Sequence, residues 1–162
     1  VKLKNPSYLR LTGSSNNPIV YNKDYEFEIG KSITLREGKD ITIFCAGAIV
    51  YQSLEVAKIL ESKNISTKVV NMHTIKPIDE KLVNELSTNS KLLVSVEEHS
   101  VIGGLGSAIA DFKSTLNDAP PQLFIGLPNE YKKSGKYVDI LDNYGLTSEK
   151  IAKAIENKHK SL

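Results

Sequence analysis

Glu97, Glu98 and His99 stand in a row and are followed by the glycine cluster Gly103, Gly104 and Gly106. A carboxylate beside an imidazole can work as a general acid–base unit. Glycines that open a helix leave backbone N–H groups free, and such groups can hold an anion. Two adjacent glutamates on a strand face opposite ways, which makes them a poor pair for joint acid–base work. The plainer reading, and the one favoured by the residues, places a glutamate at a strand end, where it accepts loop N–H groups and pins the loop.

Other constellations are weaker. A dinucleotide fingerprint would need Gly104, Gly106 and a glycine at position 109, where Ile109 stands. Gly30-Lys31-Ser32 has the ending of a phosphate-binding loop, but Tyr25 occupies the required glycine position and no strand leads into it. His73 ends an apolar strand and could approach His99 across neighbouring strands; with a glutamate the pair could bind zinc, although no metal-motif spacing is present. No G-x-S-x-G nucleophile elbow occurs. Cys45, the single cysteine, lies in an apolar strand and reads as a core thiol. Arg10 has the donor fork that suits a phosphate or carboxylate. These residues amount to no complete catalytic apparatus. Two readings of other classes remain open at this point: a stand-alone anion-binding regulatory or assembly module built on residues 103–106, and a hydrolase using His99 and Glu98.

The elements that must position these side chains follow from periodicity. Apolar runs predict strands over 41–46, 67–72, 92–96 and 122–126, with Glu97 to His99 just beyond the third. Residues 7–11 and 25–29 suit short strands, and 30–38 reads as a turn or short amphipathic piece. Helices are expected over 50–62, with Leu54, Ala57, Ile59 and Leu60 inward, and over 80–86, capped by Asp79. A third helix runs from the glycine cluster to about 116, before Pro120-Pro121, and a fourth spans 137–144. A final helix follows Thr147, with Ile151, Ala154 and Ile155 as its buried stripe. Strands alternating with helices imply right-handed crossovers and a mainly parallel sheet covered on both faces, a three-layer αβα domain.

Bulk properties narrow the class. The length of 162 residues favours one domain of ordinary size, and 25% charged residues suit a globular chain. A net charge of +2 gives no electrostatic case for nucleic acid or an anionic membrane. No stretch has the apolar length of a membrane span and no signal peptide opens the chain, so a cytoplasmic protein is expected. The chain begins Val-Lys-Leu and its one methionine is Met72, as expected of a processed chain or a piece of a longer protein.

Several stretches, in order, resemble the C-terminal region of transketolase-type thiamine diphosphate enzymes. They are Pro6-Ser7-Tyr8-Leu9-Arg10-Leu11, Glu28-Ile29-Gly30-Lys31, Leu35-Arg36-Glu37-Gly38, Asp40-Ile41-Thr42-Ile43, and Asn71-Met72-His73-Thr74-Ile75-Lys76-Pro77-Ile78-Asp79. Glu97-Glu98-His99, Ile102-Gly103-Gly104-Leu105-Gly106-Ser107-Ala108, Ser134-Gly135 and Tyr144-Gly145-Leu146-Thr147 complete the set. The resemblance implies a mostly parallel sheet with one antiparallel strand. It implies that residues 1–25 end a pyrimidine-binding module and its linker, and that 26–162 form the C-terminal domain. It further implies a parent that transfers a two-carbon ketol unit between sugar phosphates with thiamine diphosphate and Mg2+. This domain would support a homodimer and sit with separate cofactor-binding modules, either in one chain or as another subunit. Neither the Gly-Asp-Gly diphosphate motif nor the glutamate that activates the thiazolium is found here, so no cofactor binding is expected of this chain alone. By the same resemblance Arg10 would help hold the sugar phosphate. The beta subunits of 2-oxo acid dehydrogenases and deoxyxylulose phosphate synthase carry a similar last domain and are the near alternatives.

Overall fold

A computed structural model describes residues 5–8, 18–21, 24–131 and 134–162. Arg10 and the expected strand over 7–11 lie wholly or partly outside these. Ten principal elements follow: β1 (Ile33–Arg36), β2 (Ile41–Cys45), α1 (Val50–Glu61), β3 (Thr67–Asn71) and α2 (Glu80–Asn89), then β4 (Leu92–Ser100), α3 (Leu105–Lys113), β5 (Gln122–Leu127), α4 (Tyr137–Asn143) and α5 (Ser148–Lys160). They form a five-stranded sheet in the order β1-β3-β2-β4-β5. β2 runs parallel to β3 and β4, and β4 runs parallel to β5. β1 alone is antiparallel, against β3. The expected αβα architecture with one antiparallel strand is therefore present.

Alternation along β2 explains the two cores. Ile41, Ile43 and Cys45 face one way and join Val56 and Leu60 of α1 with Ile151 and Ile155 of α5. Phe44 faces the other way, with Val83 and Leu86 of α2 and Leu105 and Ile109 of α3. A strand buried on both faces can hold an almost continuous apolar run, as β2 does.

Several expectations are corrected. Residues 25–29 form no strand; the edge strand is Ile33–Arg36, inside the stretch read as a turn. All four of its residues are half-buried, so it shows no alternation to read. β4 continues to Ser100, which draws Glu97, Glu98 and His99 into the strand because Ser100 pairs with Leu127 beyond a register shift. α1 buries Val50, Ser53, Val56, Ala57 and Leu60, while Leu54 and Ile59 lie at its half-covered margin. α5 buries Ala152 in place of Ala154, which is exposed. Thr147 stands at the N-cap of α5, but its hydroxyl makes no capping bond.

Asp79 does cap its helix. It accepts from Leu82 N at 3.3 Å and also from the backbone and hydroxyl of Ser32 at 3.0 and 2.9 Å. One carboxylate thus fastens the approach to β1 onto the start of α2. Asp79→Ala is expected to destabilise by about 2 kcal/mol, the upper part of the range for a lost cap, read as a lower urea midpoint at unchanged slope.

The Cys45 thiol is fully buried and donates to Val70 O at 3.4 Å. Burial pushes its pKa from 9.0 up to about 12. A thiol reagent is expected to leave the native protein unmodified and to count one thiol after denaturation. The unfolded thiol ionises near 9 and the folded one near 12, so the unfolded state binds fewer protons between them. Stability is therefore expected to fall as pH rises across that window. Among the described residues no helix is long and apolar enough to cross a membrane.

Candidate functional site

The carboxyl end of β4 and the start of α3 bring Glu97, Glu98, His99, Gly103, Gly104 and Gly106 to one edge of the sheet. Glu97 is the centre of it. Its side chain is 5% exposed, and its two carboxylate oxygens accept from Leu105 N at 2.8 Å and Gly106 N at 2.9 Å. A negative charge at a helix N-terminus is favourable because it meets unpaired N–H groups and the positive end of the helix dipole. The helix start therefore already holds an anion, supplied by the chain itself. An external phosphate at these two N–H groups would have to displace Glu97.

The glycines are explained one by one. Gly103 has φ +80°, a left-handed turn that a side chain would strain. Gly104 has ordinary extended backbone, but a Cβ there would stand 1.9 Å from Glu97 Oε2. Gly106 lets the first turn of α3 lie against β4 and β5, since a Cβ would come within 2.5 Å of Ser95 Oγ and 2.6 Å of Phe124 Cδ1. The cluster is thus a packing device shaped around a buried carboxylate.

Glu98 faces away from Glu97, as the strand period requires. Its carboxylate accepts from the hydroxyl of Tyr137 at the start of α4. Burial and then this bond raise the Tyr137 pKa above its ordinary value. Sequence does not single out Tyr137, and nothing in the spacing of two residues 39 apart could have paired them. His99 is exposed, with Nδ1 3.0 Å from the Ser100 carbonyl. His99 and Glu98 thus make no bond to each other that would form an acid–base unit. His73 follows β3, and its ring packs on Phe27 at 4.5 Å between centroids. The strand order puts β2 between β3 and β4, so His73 and His99 are not on neighbouring strands. Among the described residues no group of His, Cys, Asp or Glu is placed to hold a metal ion. The residues at this edge do not fit a metal-bound diphosphate.

The chain and its fold match known proteins. The family described as "Transketolase, C-terminal domain" matches residues 30–151. The chain belongs to this family. It is 38% identical over 159 residues to a Methanocaldococcus jannaschii protein whose name assigns it to a transketolase C-terminal section, covering 97% of this chain and 49% of that one. It is 38% identical over 150 residues to one of the subunits of apulose-4-phosphate transketolase from Phocaeicola vulgatus, covering 91% and 47%. A solved structure described as a split-gene transketolase in an inactive beta4 tetramer superposes with a TM-score of 0.78 at 38% identity, over 86% of this chain and 45% of that one. The chain spans about half the length of these relatives.

Proposed function

We propose that this transketolase C-terminal domain is the non-catalytic part of an enzyme that moves a two-carbon ketol unit between sugar phosphates. The observation that carries the reading is the 38% identity across nearly the whole chain to proteins named as transketolase sections and subunits, which it matches over only half their length. The other half, as further modules or a separate polypeptide, would bring thiamine diphosphate and Mg2+. In this reading residues 1–25 are the end of the pyrimidine-binding module and 26–162 the C-terminal domain. Arg10, outside the described residues, would reach the phosphate of the sugar. The domain would act in the cytoplasm and join a second copy of itself, as the tetramer of the split-gene relative suggests.

The chemistry at the sheet edge supports a structural role. Glu97 is used up by α3, and Glu98 is engaged with Tyr137. The test has two parts. Thiamine diphosphate with Mg2+ is titrated calorimetrically into this chain alone, and no binding is expected. The chain is then mixed with the chain carrying the missing cofactor modules, and ketol transfer from a ketose phosphate to an aldose phosphate is measured. Activity that needs both chains supports the proposal. Turnover of a 2-oxo acid instead would assign the domain to one of the neighbouring enzyme classes. Clear cofactor binding by this chain alone would overturn the division of labour.

A further inference from the structure

The sheet has two outer strands, and they are built differently. β1 is four residues long, its register with β3 shifts between Thr34 and Arg36, and Arg36 carries a charge paired with Glu61 at 2.5 Å. A short strand, an irregular register and a charge all keep an edge from pairing with another chain. β5 differs: Gln122–Leu127 reads Gln-Leu-Phe-Ile-Gly-Leu, with no charge and no proline inside it, and the register shift of its pair with β4 lies in β4, between Val96 and Ser100.

Among the described residues β5 makes its backbone hydrogen bonds on one side only. The carbonyls of Pro121 and Leu127 accept from Leu93 and Val101 on the β4 side. The N–H and C=O of one strand residue point the same way, and successive residues alternate. Odd-numbered positions therefore face β4, and Gln122, Phe124 and Gly126 turn their N–H and C=O groups outward. Among the described residues no hydrogen bond is made to those outward groups. Phe124, in the middle, is 40% exposed.

We propose that this edge pairs with the same edge of a second copy, the two β5 strands running antiparallel about a two-fold axis at Phe124. The proposal rests on the association between copies put forward above and names its surface. A symmetric pair is the arrangement that the outward pattern fits. With Phe124 opposite Phe124, Gln122 falls opposite Gly126 on both sides of the axis. All three are then hydrogen-bonded positions of an antiparallel ladder, so about six backbone bonds form and no outward N–H is left over. Self-pairing sets no like charges against each other, because the strand carries none. The two Phe124 rings meet as a direct cross-strand pair, a favourable contact. Because the β1 edge is blunted, pairing through β5 closes at two sheets and does not propagate.

Sedimentation across a range of protein concentrations tests this with the wild-type chain, Phe124→Lys and Phe124→Pro. The Phe124 N–H points away from β4, so proline there spares the ladder within the chain while removing a central donor. Circular dichroism checks the fold, and if the proline variant does not fold, the lysine variant decides. The expected result is a wild-type dimer whose dissociation constant rises by at least about 100-fold in the folded variants. Slow hydrogen exchange at Gln122, Phe124 and Gly126 in the wild type should be lost with it. A folded variant that dimerises like the wild type would sink the β5 edge and leave self-association standing through another face. A wild type that stays monomeric at every concentration would overturn both.

Discussion

Alanine at Gly38 is expected to cost about 3 kcal/mol, the upper part of the usual range for overpacking. Gly38 sits between β1 and β2, where a Cβ would lie 2.2 Å from both Lys68 N and Thr67 C and 2.7 Å from Thr67 O. Those atoms are backbone, so no side-chain rotation relieves the clash. They also belong to the start of β3, which is in register with β2 through Ile41 to Thr67 and Thr42 to Lys68. Making room means moving the first pairs of a central ladder, with β1 on the far side of β3. A thermal melt should show a fall of roughly 6–12 °C for a chain of this size. Gly135→Ala is the control. Its Cβ would meet only Ile140 Cγ1 at 3.6 Å, an ordinary contact, and its effect is expected within about 0.5 kcal/mol. A Gly38→Ala chain as stable as wild type would mean that β3 can shift at its start without loss.

Gly38 also shows where sequence reading stops. The atoms that exclude a side chain there come from residues about thirty positions later, and no local pattern announces them. β2 and the parallel order were legible because an apolar run between helices has few other solutions. β1 was not, because an edge strand with four half-buried residues has no alternation. The extension of β4 through Glu97, Glu98 and His99 was hidden for a related reason. These residues do not read as strand formers, and β5 holds them in the sheet through the pairing of Ser100 with Leu127. The role of Glu97 was legible as chemistry, since a carboxylate ahead of a glycine-rich helix start has obvious donors to accept from. Its pinning contact is what the plainer reading anticipated. The partner of Glu98 was not, since only the tertiary fold brings Tyr137 beside it.

Glu97→Ala is expected to destabilise the domain by about 3 kcal/mol, because two buried N–H groups at the start of α3 lose their acceptor and each such loss costs about 1–3 kcal/mol. The figure sits in the lower half of the combined range because water can enter the space left by the carboxylate. Glu97→Gln should cost about half as much. One amide oxygen still accepts, while the amide nitrogen, itself a donor, is turned against an N–H that cannot accept from it. Gly104 supplies an internal check on this account. Gly104→Ala in the wild-type chain sets a Cβ 1.9 Å from Glu97 Oε2, and the carboxylate is fixed by its two bonds and cannot swing aside freely. In the Glu97→Ala background that obstacle is gone, and the alanine finds ordinary backbone angles of φ −96° and ψ −154° at its position. The two substitutions should therefore be less damaging together than their separate effects predict, by about 1–2 kcal/mol, within the range seen for residues in contact. Urea titration of the wild type, both single variants and the double variant measures this coupling. Additive effects would mean that Gly104 is glycine for some reason other than the carboxylate, and that Glu97 does not shape the turn that carries α3.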